Sequence, residues 1–528
     1  MGKKIIKSLL ITFIFGFIVY YFILPPINLS SFLFYFYALL LLGVFNFSLY
    51  LSSNFKELKK STNTFLPFTS FSIVLGCVIV VLIIGTNIIL SPIFNSRSYA
   101  NRININEDTD FISDIKEVDF TKIPLLDKAS SQKLGDRVMG QLPELVSQFY
   151  VSDLYTQINY NDSILRVTPL EYNGFIKYLT NRKDGIAGYI TVDSVTGESK
   201  LVKLTKGMKY SSSAHFFENL NRKLRFSYPT AIFGGINFEI DNEANPYYII
   251  PTIKYAGVGL KRDIKDVIIF NAITGESKRY SLKDVPSWVD HVYNADIIIE
   301  QVNDWGTYRN GFTNSIFGQK NVVATTEGYN YITMNDDVYL YTGITSVSTD
   351  ESNIGFILTN MRTKETNFYA VPGAEEYSAM ASAEGQVQQM NYISTFPLLI
   401  NLNNRPTYLI SLKDNAGLVK MYAFVDVVDY QKVVVTDASK GIKEASRNYL
   451  SNLNSTYGTT NEKVIKVNSI KSIIINGNTY YYLTDQDNLK YRVSINVDEY
   501  SLPFINVGNE LKVKYIDGEV KEITNIEK

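Results

Sequence analysis

Two histidines, His215 and His291, and one cysteine, Cys77, are the scarcest reactive side chains in this chain of 528 residues. General acid–base catalysis most often draws on His, and a zinc site needs about four Cys, His or carboxylate ligands close in space. Neither histidine stands in a catalytic pattern: the sequence has no G-x-S-x-G elbow, no H-E-x-x-H pair and no G-x-x-x-x-G-K-[ST] loop. The expectation is that no residue is catalytic, no metal is held and no cofactor is bound. A Ser/Lys dyad stays open, because both residue types are common. Asp485 and Asp487 begin like a calcium loop, but Lys490 and Asn496 stand where that loop requires Gly and Glu, so they read as a solvated turn. The paired acids Asp336-Asp337 and Glu375-Glu376 read as solvated or helix-start groups before they read as ligands.

The residues best suited to binding lie in Asp304 to Phe317. Trp305, Tyr308, Arg309, Asn310 and Phe312 stand there among two glycines. Aromatics beside an amide and a guanidinium stack on sugars or anchor protein interfaces. The competing reading places Trp305 and Phe312 over the edge of a core. A second candidate is EEYSAMASAEGQVQQM from Glu375, a helix dense in Ala, Ser and Gly that lets a neighbour approach closely, with Glu375, Glu376 and Tyr377 at its start. Plain packing is the reading that such small residues favour, because they commonly mark close contacts.

The elements that must carry these residues begin in a membrane. No charged residue occurs between Ser8 and Phe55, and Pro25-Pro26 divides that run into Ile5 to Leu24 and Leu29 to Leu51; a third uncharged run is Phe65 to Leu90. Each is long enough to span a bilayer, and soluble helices are rarely apolar on every face. Lys3, Lys4 and Lys7 precede the first span and Lys56, Lys59 and Lys60 lie between the second and third. The positive-inside rule then puts the N-terminus in the cytoplasm and everything after Leu90 outside. A cleaved signal peptide is the rival for the first segment, but no small-x-small site precedes the proline pair.

The exported part lacks cysteine, which suits a bacterial envelope better than a disulfide-rich animal cell surface. The formal net charge of -1 argues against nucleic acid as a partner. From Ser98 the sequence turns to short alternating runs. GYITVDSVTGESKLVKL from Gly188 and DVIIFNAITGESKRYSL from Asp266 read as β-hairpins sharing TGESK, and GFILTNMRTKETNFYAV from Gly355 and KMYAFVDVVDYQKVVV from Lys420 follow the pattern without its glycine. Helices are expected before them at Gln132 to Phe149, His215 to Leu224, Pro286 to Val302 and Glu375 to Met390.

Helix followed by antiparallel strands that end in a D-x-x-T-G-E turn resembles the PepSY domain of bacterial envelope proteins. Asp193 to Glu198 matches best, and Asn271 to Glu276 departs by its leading Asn. The stretches from Asp304 and from Gly373 resemble a membrane-protein family of Firmicutes. The chain is therefore read as α+β: a transmembrane region over 1–96, PepSY-like units at 97–210, 211–284, 285–373 and 374–437, a helix and linker over 438–462, and a small β-barrel of OB or SH3 type over 463–528. The barrel expectation rests on closely spaced strands with Asn476-Gly477 and Asp517-Gly518 as turns. The functional expectation is a bacterial membrane protein with an extracytoplasmic scaffold or binding region, contacting the bilayer and an envelope protein or wall polymer. The resemblance implies regulation of an envelope peptidase as the alternative, and an atypical hydrolase is the second. Neither ligand nor oligomeric state is written in the sequence.

Overall fold

In a computed structural model the described residues are 2–52, 62–347, 353–457, 461–475, 478–516 and 518–525. Lys56, Lys59 and Lys60, the Asn476-Gly477 turn, Asp517 and residues 458–460 of the linker lie outside them. The chain is mixed α+β and forms two compact bodies, residues 1–420 with 425–431 and residues 421–424 with 432–528.

Three apolar helices open the first body, Gly2–Ile23, Phe32–Leu51 and Thr62–Ile89. Their segments Lys3–Ile23, Phe32–Leu51 and Ser70–Ile89 are long and apolar enough to cross a membrane. Helix is the form such a run takes in lipid, because it satisfies its own backbone. Ile6, Phe13, Phe36, Val81 and Leu82 point outward, as lipid-facing side chains do.

Three antiparallel sheets follow in this body. The first joins Phe149–Val151, Thr156–Tyr160, Ser163–Tyr172, Ile186–Asp193 and Ser199–Met208. The second joins Ile232–Phe233, Asn237–Ile240, Pro246–Tyr255, Arg262–Asn271 and Ser277–Tyr280. The third joins Val323–Thr325, Asn330–Met334, Asp337–Ser346, Asn353–Asn360 and Thr366–Tyr369, with Ile105–Asn106 added in parallel at one edge. Strands Ile393–Ser394, Leu398–Asn401 and Pro406–Lys413 begin a fourth.

One turn recurs at all four places, built by an Asx side chain. Asp193 Oδ1 accepts from the N–H groups of Val195 and Thr196 at 2.8 and 2.7 Å. Asn271 Oδ1 accepts from Ile273 and Thr274, both at 2.9 Å. Asn360 Oδ1 accepts from Arg362 and Thr363 at 2.9 and 3.0 Å, and Asp426 Oδ1 from Val428 and Asp429, both at 2.9 Å. The next residue, Ser194, Ala272, Met361 or Val427, is buried in each case. Its N–H donates to the start of the long strand, at Ile164, Pro246, Val338 or Pro406, and its carbonyl accepts from the segment entering the helix, at Leu126, Tyr210, Tyr293 or Ala374. Asx turns offer the backbone these bonds without a ladder.

The helices shift against expectation. They run Lys128–Gly140, Leu220–Ser227, Ala295–Tyr308 and Glu376–Gly385, and short pieces at Pro143–Val146, Phe216–Glu218 and Gln388–Met390 account for part of the expected lengths. Pro286 does not start the third: residues 289–292 are buried and outside any helix or strand, and the helix begins after Asn294.

In the second body the helix Ile442–Tyr457 follows strand Val433–Asp437, and Phe424 stacks on Tyr449 at 5.6 Å. Its C-terminal sheet has six strands in the order Asn461–Lys466, Glu510–Ile516, Glu519–Asn525, Lys490–Ser494, Asn478–Thr484, Ser469–Ile475. Asn461–Lys466 and Ser469–Ile475 are separate strands at opposite ends of that order. Among the described residues no pairing joins the two end strands, so closure into a barrel is not seen. Ile465, Leu483, Val493, Leu511 and Val513 are among its core residues.

Candidate functional site

The helix Leu220–Ser227 joins the membrane helices to the sheets. Asn219 caps it, its side chain accepting from the Arg222 N–H at 3.1 Å, while Leu220 and Leu224 are buried. Its two arginines reach the end of the first span: Arg222 Nε donates to the Tyr21 carbonyl at 3.2 Å and Arg225 Nε to the Leu24 carbonyl at 2.9 Å. The last carbonyls of a helix carry partial negative charge and lack partners within it, so cations there are favourable. Burial lowers the Arg225 pKa to about 10, which leaves it charged at neutral pH. The other spans are held at the same end. Asn87 Nδ2 donates to Val258 O at 3.0 Å and Asn87 Oδ1 accepts from Val258 N at 2.8 Å, while Gly259 N donates to Ser30 O at 2.9 Å. The first three sheets therefore stand at the end of the membrane helices opposite Lys3, Lys4 and Lys7.

Beside this joint lies an exposed apolar patch. Phe175, Ile176 and Leu179 on the helix Phe175–Asn181 are 44%, 66% and 45% exposed, and Phe216 and Phe217 are 46% and 56% exposed. Phe216 holds φ at +53°, a left-handed conformation unusual for a bulky residue, and Phe217 lies 5.8 Å from the ring of Tyr21 on the first span. Phe217 thus joins the patch to the first membrane helix. Residue types alone did not reveal it, since the patch is split between positions about forty apart.

The structure divides the segment Asp304 to Phe317 into a stem and a tip. Trp305 is half-buried against the core of the second and third sheets, 6.4 Å from Phe368, and the Arg309 guanidinium covers it at 4.6 Å. Arg309 Nε and Nη2 donate to the Asn321 carbonyl at 3.1 and 2.9 Å, and Asn310 Nδ2 donates to the Lys320 carbonyl at 3.0 Å. These bonds close a loop over 310–321. Tyr308 is half-buried, and burial followed by the negative Asp304 raises its pKa. Phe312 is also half-buried. Asn310 is exposed, and beyond it so are Ile316 at 51% and Phe317 at 83%, in the single turn Asn314–Gly318. An ion-pair network holds the stem's helix: Asp304 pairs with Arg102 and, at 2.9 Å, with Lys261, and Glu300 with Arg262 at 3.0 Å.

Glu375, Glu376 and Tyr377 also part company. Glu375 is the N-cap of its helix and Tyr377 is 47% exposed, its ring 6.3 Å from Phe396. Glu376 is wholly buried and faces the third sheet at Gly343. A β-carbon on Gly343 would stand 2.7 Å from Glu376 Oε1, 2.7 Å from Asn353 Nδ2 and 2.8 Å from Thr326 Oγ1. A β-carbon there would force these side-chain ends to shift. Burial raises the Glu376 pKa to about 7.

Neither histidine lies in a helix. The ring of His215 packs 4.9 Å from Phe175. His291 is buried between sheets, its Nε2 2.7 Å from the Gln157 carbonyl, a geometry in which Nε2 carries the proton, and burial lowers its pKa to about 4. Glu239 and Asp290 beside it are 0% and 2% exposed, and burial raises both their pKa values, Glu239 to about 7. At Asp485 and Asp487 the Lys463 ammonium stands 2.9 Å from both carboxylates, filling the place of a cation. Among the described residues no group of three or more His, Cys, Asp or Glu is placed to hold a metal.

No known family's sequence profile matches the chain, and no curated protein matches it in sequence. Among solved structures, a crystal structure of an ACO/RPE65 chimera aligns at 7% identity over 72% of this chain and 62% of that one, with a TM-score of 0.14. The Trypanosoma rangeli sialidase with 2,3-difluorosialic acid aligns at 8% identity over 72% of this chain and 53% of that one, with a TM-score of 0.15. The chain thus spans less than two thirds of either, and likenesses this faint carry no argument about fold or function.

Proposed function

We propose that this is a multi-pass protein of a bacterial cell membrane, N-terminus inside, whose sheets form an extracytoplasmic scaffold that binds another envelope protein or wall polymer. The exposed Ile316-Phe317 tip on its braced stem carries this reading. A large apolar residue held out on a rigid support is the form of a binding anchor, because little conformational entropy is lost when it is buried. The patch at Phe175 and Phe216-Phe217 suits the headgroup region of the same bilayer. The Asx turn at four places supports the PepSY-like reading, and with it the alternative of peptidase regulation. The test is capture of partners by the intact protein from its own membranes: Phe317→Asp should abolish capture while the unfolding temperature stays unchanged. Undiminished capture by that variant would remove the tip from the interface.

A further inference from the structure

The first and third sheets each contain a two-residue hairpin in the same register, Tyr160 opposite Ser163 and Met334 opposite Asp337. In such a ladder the pair flanking the turn is hydrogen-bonded, and the next residue turns its N–H and C=O outward. Those outward groups belong to Asn159 in the first sheet and Thr333 in the third. The chain itself closes the first edge. Asn159 N donates to Asp290 Oδ2 at 2.7 Å, Gln157 O accepts from His291 Nε2, and the N–H groups of Asp290 and His291 donate to Glu239 on strand Asn237–Ile240 at 2.8 and 3.0 Å. Residues 289–292 thus fill the gap between the hairpin strands of the first and second sheets.

The matching gap between Asn330–Met334 and Leu398–Asn401 is a cavity of about 220 Å³. Its walls include Ile332, Met334, Ile400 and, from the segment before the first sheet, Ile115, Val118 and Ile123. The Asn401 edge is taken: Val118 N donates to Asn401 O at 2.9 Å and Asn401 Nδ2 to Ile115 O at 2.6 Å. The Thr333 edge is open. Among the described residues its N–H and C=O have no partner, and Thr333 Oγ1 and Asn401 Oδ1, both in the lining, are buried without one. Asn401 is 2% exposed.

We infer that this cleft takes an extended peptide of another envelope protein by adding it to the Thr333 edge, with a carboxylate on the Thr333 N–H and apolar side chains in the cavity. The occupant's chemistry is that of residues 289–292 in the equivalent gap, and strand addition draws its affinity from just such main-chain bonds. Only the source of the peptide rests on the scaffold reading above. The probe is a fluorescent octapeptide SWVDHVYN, the sequence of residues 287–294, titrated onto the full-length protein in detergent. Saturable binding is expected, weakened at least tenfold by Thr333→Pro, which removes the outward N–H, and several-fold by Asp290→Asn within the peptide. If Thr333→Pro lowers the unfolding temperature, Met334→Lys, which places a charge in the cavity wall, supplies the comparison. Absence of saturable binding, or equal binding by wild type and variants, overturns the inference. So does a photoreactive residue at Met334 that cross-links, in membranes, only to its own chain or to a second copy. Failure here with loss of capture by Phe317→Asp removes the cleft and leaves the scaffold, whereas peptide binding with undiminished capture removes the tip and leaves the cleft.

Discussion

Glu376 shows how far one residue departs from the role its neighbours in sequence suggest. Beside Glu375 at a helix start it reads as a solvated acid; its helix instead presses it against Gly343, where burial holds its pKa near 7 against an ordinary 4.5. The folded protein therefore keeps a proton that the unfolded chain loses above about pH 4.5. Stability should fall as pH rises from about 4.5 to about 7 and level off above, by roughly 3 kcal/mol for a shift of this size. Glu239 acts in the same direction, so the informative quantity is a difference between two proteins. Glu376→Gln should flatten the pH profile of the unfolding temperature and lie above wild type at about pH 8. Parallel profiles would show that Glu376 is ionised in the folded state across that range. Arg225 offers the opposite case, a buried cation whose charge is used: Arg225→Leu strips the Leu24 and Ala231 carbonyls of their donors. Thermal unfolding of the intact protein should show a loss of about 2 kcal/mol, the cost of leaving buried acceptors unpaired.

At the scale of elements, the Asx turn is the unit that repeats. At three of its four occurrences the fifth residue takes a positive φ: Gly197 at +77°, Gly275 at +75° and, in the third sheet, Lys364 at +68°. The lysine tolerates this because its ammonium donates to Arg102 O at 2.8 Å and Asp263 Oδ1 at 3.1 Å. The two glycines make a matched test. A β-carbon at Gly197 meets Leu126 at 3.6 Å, so Gly197→Ala should cost only the left-handed strain, about 1–2 kcal/mol. At Gly275 it would stand 2.3 Å from the Tyr210 ring, so Gly275→Ala should cost clearly more. Denaturant unfolding of both variants checks the order, and equal losses would mean that Tyr210 moves aside freely.

At the scale of the first body, the bonds of Arg222, Arg225 and Asn87 put the first three sheets at the Leu24 end of the first membrane helix. In a Cys77→Ser background, a membrane-impermeant thiol reagent applied to intact cells should label Lys200→Cys, on an exposed strand position, and spare Lys3→Cys. Labelling of Lys3→Cys alone would reverse the orientation. The C-terminal sheet has its own core, so limited proteolysis should release a stable fragment near 463–528 before it cuts within the first three sheets. A core that resists division through residue 528 would count against that.

What the sequence determined by itself is local. Uninterrupted apolar runs define the three membrane helices, since runs of such length and apolarity on every face are rare in soluble proteins, and Asx-x-x-Thr-Gly-Glu defines the hairpin turns, since each bond in them is made within six residues. Where the alternation was legible, as in Gly188 to Leu204, the strands fall in place. Properties set by residues distant in the chain were not legible. The third sheet's helix begins at Ala295 rather than Pro286 because residues 289–292 bond to Gln157, Asn159 and Glu239, a choice that local propensity does not contain. Trp305 reads from its neighbours either as an anchor or as the edge of a core, and Arg309 and Phe368 beside it make it part of the stem; Phe317, one aromatic among 31 phenylalanines, is the exposed tip. Exposure is a property of what packs alongside, and only the tertiary structure decides it.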